Sequence, residues 1–147
     1  LTGDMLYRGG NAWLGMQYGM TVRYPWYTEG VNCDPRQVWK VWDSFGIADA
    51  TMLGFWEEHP AVSTSDEAVK VTAYRKPGKT LLSIGNYSDE VKSVKLSINW
   101  EQLGLDPQQV KLVAPEIQDM QEADEWNIDD PISTAPRKGW LIYIAPK

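Results

Sequence analysis

The clearest hydrophobic pattern in the first part of the chain has the period of an α-helix. Four apolar residues follow the i, i+3, i+4, i+7 spacing of one helix stripe. They are Val38, Val41, Trp42 and Phe45. Asp34 is a good N-cap, Pro35 suits the first helical position, and Gly46 is a typical left-handed stop. The pattern predicts a helix over about 34–46.

Two apolar runs flank this predicted helix. Residues 13–22 contain two glycines and predict a buried strand, or two short strands. Residues 52–56 predict another short strand, which Glu57 and the following polar residues end. Residues 1–62 therefore form a strand-loop-helix-strand segment in our interpretation, and the polar stretch 63–67 indicates a domain boundary.

From residue 63 onward the pattern changes to a period of two. We expect strands at 69–73, 80–86, 94–98 and 110–114, and a hairpin made of 132–134 and 140–145. Asn99 is expected to cap a single helical turn. The fold class is thus mainly β: an antiparallel β-sandwich at 63–147, or a small barrel, preceded by a short α/β segment.

The composition of the chain limits the classes of binding partner that we expect. The net charge of −6 argues against nucleic acid or an anionic membrane, and no apolar run is long enough for a membrane span. Because the chain begins at Leu1, we expect a processed product or a piece of a longer protein. Eight Trp and seven Tyr stand against two Phe. Sugar-binding proteins use such rings, but so do ordinary cores.

Catalytic and metal sites are not apparent. One histidine and one cysteine, Cys33, cannot build a zinc site of the usual kind. Four acidic residues are dense enough for calcium but have the wrong spacing, so we favour a solvated loop. They are Asp124, Glu125, Asp129 and Asp130. Glu57 and Glu58 follow the 52–56 run at a strand end, which is a plausible place for chemistry. Adjacent acids in a loop are, however, usually just solvated. We expect no catalytic residue, no metal and no cofactor.

One cluster has the composition of a binding site. Arg23, Tyr24, Trp26 and Tyr27 follow the glycine-bearing strand and precede the helix. The last βα unit of a (β/α)8 barrel presents residues at its active face in this order. There Arg23 would bind sugar hydroxyls or a carboxylate, and Trp26 would stack on a ring. Alternatively, Arg23 pairs with a nearby acid and the aromatic residues pack the loop.

Several segments have a recognisable form. Residues 19–26, 35–47 and 52–56 resemble the tail of bacterial glycoside-hydrolase-like barrel proteins, related to glycoside hydrolase family 123. The stretches 81–87, 96–105 and 139–142 resemble the C-terminal β-sandwich that follows the barrel in such proteins. The resemblance implies an oligosaccharide or polysaccharide ligand and an extracytoplasmic location. It also implies an acid/base pair in earlier barrel strands, which this chain lacks.

Three functions fit these observations. The leading one is a C-terminal accessory or structural region of a carbohydrate-active protein, not catalytic by itself. A stand-alone carbohydrate-binding module is the second, with Tyr87, Trp100 and Trp126 as its candidate rings. The third is a protein-interaction domain without affinity for sugar, which would use an exposed apolar patch.

Overall fold

The computed structural model describes residues 14, 16–18, 35–118 and 120–147. Helix α1 (Pro35–Phe45) confirms the predicted helix. It ends at Gly46, which has φ 82° and donates its N–H to the carbonyl of Trp42 at 2.9 Å. Val38 and Phe45 of the apolar stripe are buried. Asp34, the expected N-cap, lies outside the described residues.

Strands make up most of the remaining regular structure. Within the described residues they are β1 (Thr51–Leu53), β2 (Val62–Thr64), β3 (Val69–Lys76), β4 (Lys79–Asn86), β5 (Lys92–Val94), β6 (Leu96–Ile98), β7 (Val110–Ala114), β8 (Asp124–Trp126), β9 (Ile132–Thr134) and β10 (Gly139–Pro146). A short helix, α2 (Trp100–Leu103), separates β6 from β7. As predicted, Asn99 caps α2, because its Oδ1 accepts the N–H of Gln102 at 3.0 Å.

All strand pairs in the described part of the chain are antiparallel. One sheet has six strands in the order β1-β3-β4-β10-β7-β8, and two smaller sheets pair β2 with β6 and β5 with β9. The six-stranded sheet forms one layer, and the two small sheets cover one of its faces. The fold is therefore mainly β, an antiparallel β-sandwich with one main helix, which confirms the predicted class.

The main hydrophobic core lies between these layers. On β3 the alternate residues Val69, Val71 and Ala73 face it, as the period of two predicts. Leu82 and Ile84 of β4 lie opposite Ala73 and Val71 in the register and extend the same face. Buried residues of the small sheets and of α2 close the core from the other side. They are Val62, Val94, Leu103 and Ile132.

A second, smaller core lies on the opposite face of the six-stranded sheet. Tyr74, Leu81 and Leu141 pack there against Val38 and Phe45 of α1. The central strands are thus covered on both faces, which explains why β4 is buried from its second residue to its last. A strand of this kind shows no alternation of polar and apolar positions.

Four predictions about individual strands are wrong. The strand expected at 94–98 is divided, because β5 pairs with β9 while β6 pairs with β2. The expected hairpin does not form, since β9 pairs with β5 and β10 pairs with β4 and β7. The 52–56 strand already ends at Leu53. The expected solvated acidic loop contains β8, whose Glu125 lies opposite Val113 of β7, although Asp124 and Glu125 are exposed as expected.

The proposed boundary near residue 62 stays a prediction. Strand β1, which precedes it, pairs with β3, and β2 begins at Val62 and pairs with β6. Among the described helices, none is long and apolar enough to cross a membrane.

Candidate functional site

Residues 16–18 lie on the α1-facing side of the six-stranded sheet, and Gln17 holds them there. The Gln17 side chain is fully buried. Its Nε2 donates to the carbonyls of Lys70 and Ser83, the latter at 3.1 Å, and its Oε1 accepts the hydroxyl of Tyr87 at 2.7 Å. The Gln17 backbone carbonyl also accepts from Thr72 Oγ1 at 2.9 Å. One residue is thus bonded to β3, to β4 and to the residue after β4.

Met16 and Leu14 complete this contact. Met16 is fully buried in the second core, and its carbonyl accepts a hydrogen bond from the Tyr74 hydroxyl. A Cβ at Gly85 would lie 2.9 Å from Leu14 Cδ2 and 3.1 Å from the Gln17 amide. Gly85 therefore leaves the space that these side chains need on the sheet.

Next to Gln17 four rings form what we call the aromatic cluster: Tyr18, Phe55, Trp56 and Tyr87. Tyr18 stacks on Trp56 with centroids 5.5 Å apart and planes within 5° of parallel. Phe55 contacts Tyr18 and Trp56 edge-on, with ring centroids 5.6 and 5.2 Å apart. Its ring is tilted against that of Tyr87, with centroids 6.1 Å apart. Tyr18 and Trp56 remain 49% and 51% exposed, which is unusual for rings this large.

Gly54 leaves the space that the Trp56 ring of the aromatic cluster occupies. A Cβ on this residue would come within 2.4 Å of the indole of Trp56. A side chain at position 54 would therefore displace the ring from the backbone on which it lies. Glycine directly after β1 allows Trp56 to take its place beside Tyr18.

A groove of about 340 Å³ adjoins the cluster, and Phe55 belongs to both features. Lys70 Nζ lies 5.4 Å from the centroid of the Phe55 ring, a cation–π distance. The polar residues along the groove come from the β2–β3 connection and its ends. They are Ser63, Thr64, Asp66, Glu67 and Lys70.

Two groups at this place have a shifted pKa. The pKa of Asp66 is lowered, first by its hydrogen bond from the Ala68 N–H at 2.9 Å and then by Lys92, whose Nζ lies 3.3 Å away. The pKa of Tyr87 is raised, chiefly by burial and further by the neighbouring Tyr18. Asp66 is thus a compensated carboxylate, and Tyr87 is a neutral donor to Gln17.

The four residues predicted to bind substrate lie outside the described residues. For Arg23, Tyr24, Trp26 and Tyr27 the prediction therefore stands as made. Cys33 lies outside them as well.

The three rings expected in a binding module are not brought together. Trp100 and Trp126 are half-buried against the main core, and Trp126 packs edge-on against Trp140 at 4.9 Å. Only Tyr87 belongs to the aromatic cluster. Tyr18, Phe55 and Trp56 were not foreseen as a surface group. The available signal was the apolar run at 52–56 that ends in two aromatic residues after a glycine.

All acidic candidates except the half-buried Asp130 lie in exposed positions. Glu57, Glu58 and His59 are exposed in the bend after Trp56. In β8, Glu125 pairs with Lys111 at 3.1 Å. Over the part of the chain that the structure describes, no three His, Cys, Asp or Glu side chains lie close enough to hold a metal ion.

Fold and site together define an antiparallel β-sandwich domain with a docked upstream segment and an exposed aromatic cluster beside a polar groove. The family model described as "Glycoside hydrolase 123, C-terminal domain" matches residues 34–145, and the chain belongs to this family. The predicted resemblance is confirmed, and the match includes α1 and β1. A comparison with curated proteins gives no match.

Proposed function

We propose that this chain is the C-terminal accessory region of a carbohydrate-active, glycoside-hydrolase-like protein and does not catalyse by itself. Its β-sandwich holds the segment that precedes it and so stabilises an upstream barrel of the same protein. The observation that carries this proposal is the burial of Met16 and Gln17 on the sheet. Membership of the family supports a role in carbohydrate metabolism. We place it in the bacterial breakdown of polysaccharides.

The pKa shifts of two described carboxylates, Asp66 and Asp89, agree with an accessory role. A glycosidase needs one carboxylic acid with a raised pKa to protonate the leaving group. The pKa values of Asp66 and Asp89 are instead lowered, by hydrogen bonds and by Lys92 and Arg137 respectively. Both carboxylates therefore stay ionised and serve as partners of basic side chains.

The ligand of the parent protein is an oligosaccharide or polysaccharide in this proposal. Arg23, Tyr24, Trp26 and Tyr27 remain our candidates for contacts to it, with Arg23 as hydrogen-bond donor and Trp26 as stacking platform. Substituting Trp26 by alanine in the parent protein should raise KM for a polysaccharide substrate. An unchanged KM would remove Trp26 from this list.

Two measurements on the full 147-residue chain test the accessory role. Incubated with a panel of aryl glycosides, the chain should release no phenol above background, and turnover that is lost in Glu57→Gln or Glu58→Gln would show that it is an enzyme. Hydrogen exchange should show slow amides at residues 16–18 and in β3, and Gln17→Leu should make them fast. Fast exchange at residues 16–18 in the unaltered chain would contradict the docking role.

A further inference from the structure

The aromatic cluster and the adjoining groove form one continuous surface, because Phe55 belongs to both and Lys70 of the groove lies with its Nζ 5.4 Å from the centroid of the Phe55 ring. We propose that this surface binds a neutral oligosaccharide. The inference rests on the proposed carbohydrate-active function, but it assigns a separate binding site to the β-sandwich itself.

The rings supply a pre-formed apolar platform. Tyr18 and Trp56 are each about half exposed, at 49% and 51%, although tryptophan is highly buried on average. Their stacking, together with Phe55 edge-on, fixes the rings before any ligand arrives. A ligand that packs its C–H faces on them loses little free energy to ordering side chains.

The groove supplies complementary polar groups. Lys70 can only donate hydrogen bonds, an ionised Glu67 can only accept them, and the Ser63 hydroxyl can do both. A sugar hydroxyl also donates and accepts, so it requires such a mixture of partners. The volume of about 340 Å³ lies at the lower end of the range for small-molecule sites, roughly 300–1,000 Å³.

The charge balance selects a neutral ligand. The carboxylate of Asp66 is already compensated by Lys92 at 3.3 Å. Among the described residues that line the groove, Lys70 and Glu67 then remain as one positive and one negative group. Neither a polyanion nor a polycation finds an excess of opposite charge there, whereas an uncharged polyol can use both groups.

Calorimetric titration of the full chain tests the site, with cellohexaose, xylohexaose and N-acetylchitohexaose as separate probes. At least one probe should bind, and Trp56→Ala should raise its Kd at least about tenfold. Such a change corresponds to a loss of about 1.4 kcal/mol of binding free energy. Lys70→Met and Glu67→Gln should each raise Kd several-fold. Trp39→Ala is the matched control, because Trp39 is also an exposed tryptophan (38%) but lies on α1, outside the cluster.

The outcomes separate cleanly. Absence of heat with all three probes overturns the site, as does a Kd that Trp56→Ala and Glu67→Gln leave unchanged. Glu67 is exposed, so Glu67→Gln keeps the test valid even if Trp56→Ala fails to fold. An equal loss in Trp39→Ala would also overturn the proposal. Hydrogen exchange at residues 16–18 needs no sugar, so the accessory role stands or falls separately.

Discussion

Replacing Gln17 by leucine tests the central contact of the structure with little change in side-chain volume. The variant removes the amide that bonds the carbonyls of Lys70 and Ser83 and accepts the hydroxyl of Tyr87. Gln17 is fully buried, so water cannot take over these bonds without opening the contact.

The expected cost follows from these three bonds. Leaving a buried polar group without its partner costs about 1–3 kcal/mol. The Tyr87 hydroxyl loses its acceptor, whereas the two carbonyls keep a second lone pair for other donors. We therefore expect a loss of about 2–4 kcal/mol, less than the sum of three full penalties.

Urea unfolding of the full chain, followed by circular dichroism, measures this loss. With a slope of about 2 kcal/mol per molar urea, the midpoint should fall by roughly 1–2 M. The control is Gln108→Leu, an exposed glutamine whose replacement should change stability by less than about 0.5 kcal/mol. If both variants unfold at the same urea concentration, Gln17 does not hold the segment on the sheet.

Three further changes probe the sandwich. A Cβ at Gly139 would lie 1.7 Å from the Ile84 carbonyl oxygen, so Gly139→Ala should separate β10 from β4 and lower stability by at least the ~1–3 kcal/mol of ordinary overpacking, measured by urea unfolding. Asn99→Ala removes the cap of α2 and should cost about 1 kcal/mol in the same assay. The pKa of Asp66 is lower in the folded than in the unfolded protein. Its contribution to the free energy of unfolding is therefore fully present above the unfolded pKa of 3.8 and is lost as the pH falls through the folded pKa. The difference in Tm between wild type and Asp66→Asn should accordingly close on acidification.

Each of these changes has a matched control. Gly78→Ala meets open space but a positive φ of 72°, so it should cost clearly less than Gly139→Ala. Asn127→Ala and Asp129→Asn alter exposed residues and should be close to neutral. The geometry would be refuted if Gly139→Ala proved as mild as Gly78→Ala. A difference in Tm for Asp66→Asn that widens towards low pH would contradict the sign of its pKa shift.

Local signals made much of the fold predictable. The stripe from Val38 to Phe45, with Gly46 after it, predicts α1 because every determinant lies within one or two turns. The Asn99 cap and the two-residue period of β3 are equally local. The fold class follows from such elements, since alternating strands need a second layer to bury their apolar face.

Pairing between distant strands could not be predicted in the same way. The four residues 135–138 between β9 and β10 suit a hairpin, yet β9 pairs with β5, about forty residues earlier. Strand β8 carries Asp124 and Glu125 because it lies at the edge of the sheet, where charged side chains remain in water. In both cases a distant partner, which the local pattern does not encode, decides the structure.

The candidate site was predictable only in part. Tyr87 was a candidate from sequence, but Trp100 and Trp126 turned out to pack against the core. The aromatic cluster joins Tyr18, Phe55 and Tyr87 from three separate parts of the chain. No spacing along the sequence reveals such a group, because the sheet brings its members together.

Residues 14 and 16–18 cover part of the six-stranded sheet, and this has a practical consequence for producing the domain. The family match begins at residue 34, and a gene fragment cut at that point would omit Met16 and Gln17. Tyr74 would then lose a partner, and Thr72 and Tyr87 would lose their acceptors. Such a fragment is expected to expose an apolar strip and to aggregate in concentrated solution, whereas a fragment that starts before Leu14 should remain monodisperse.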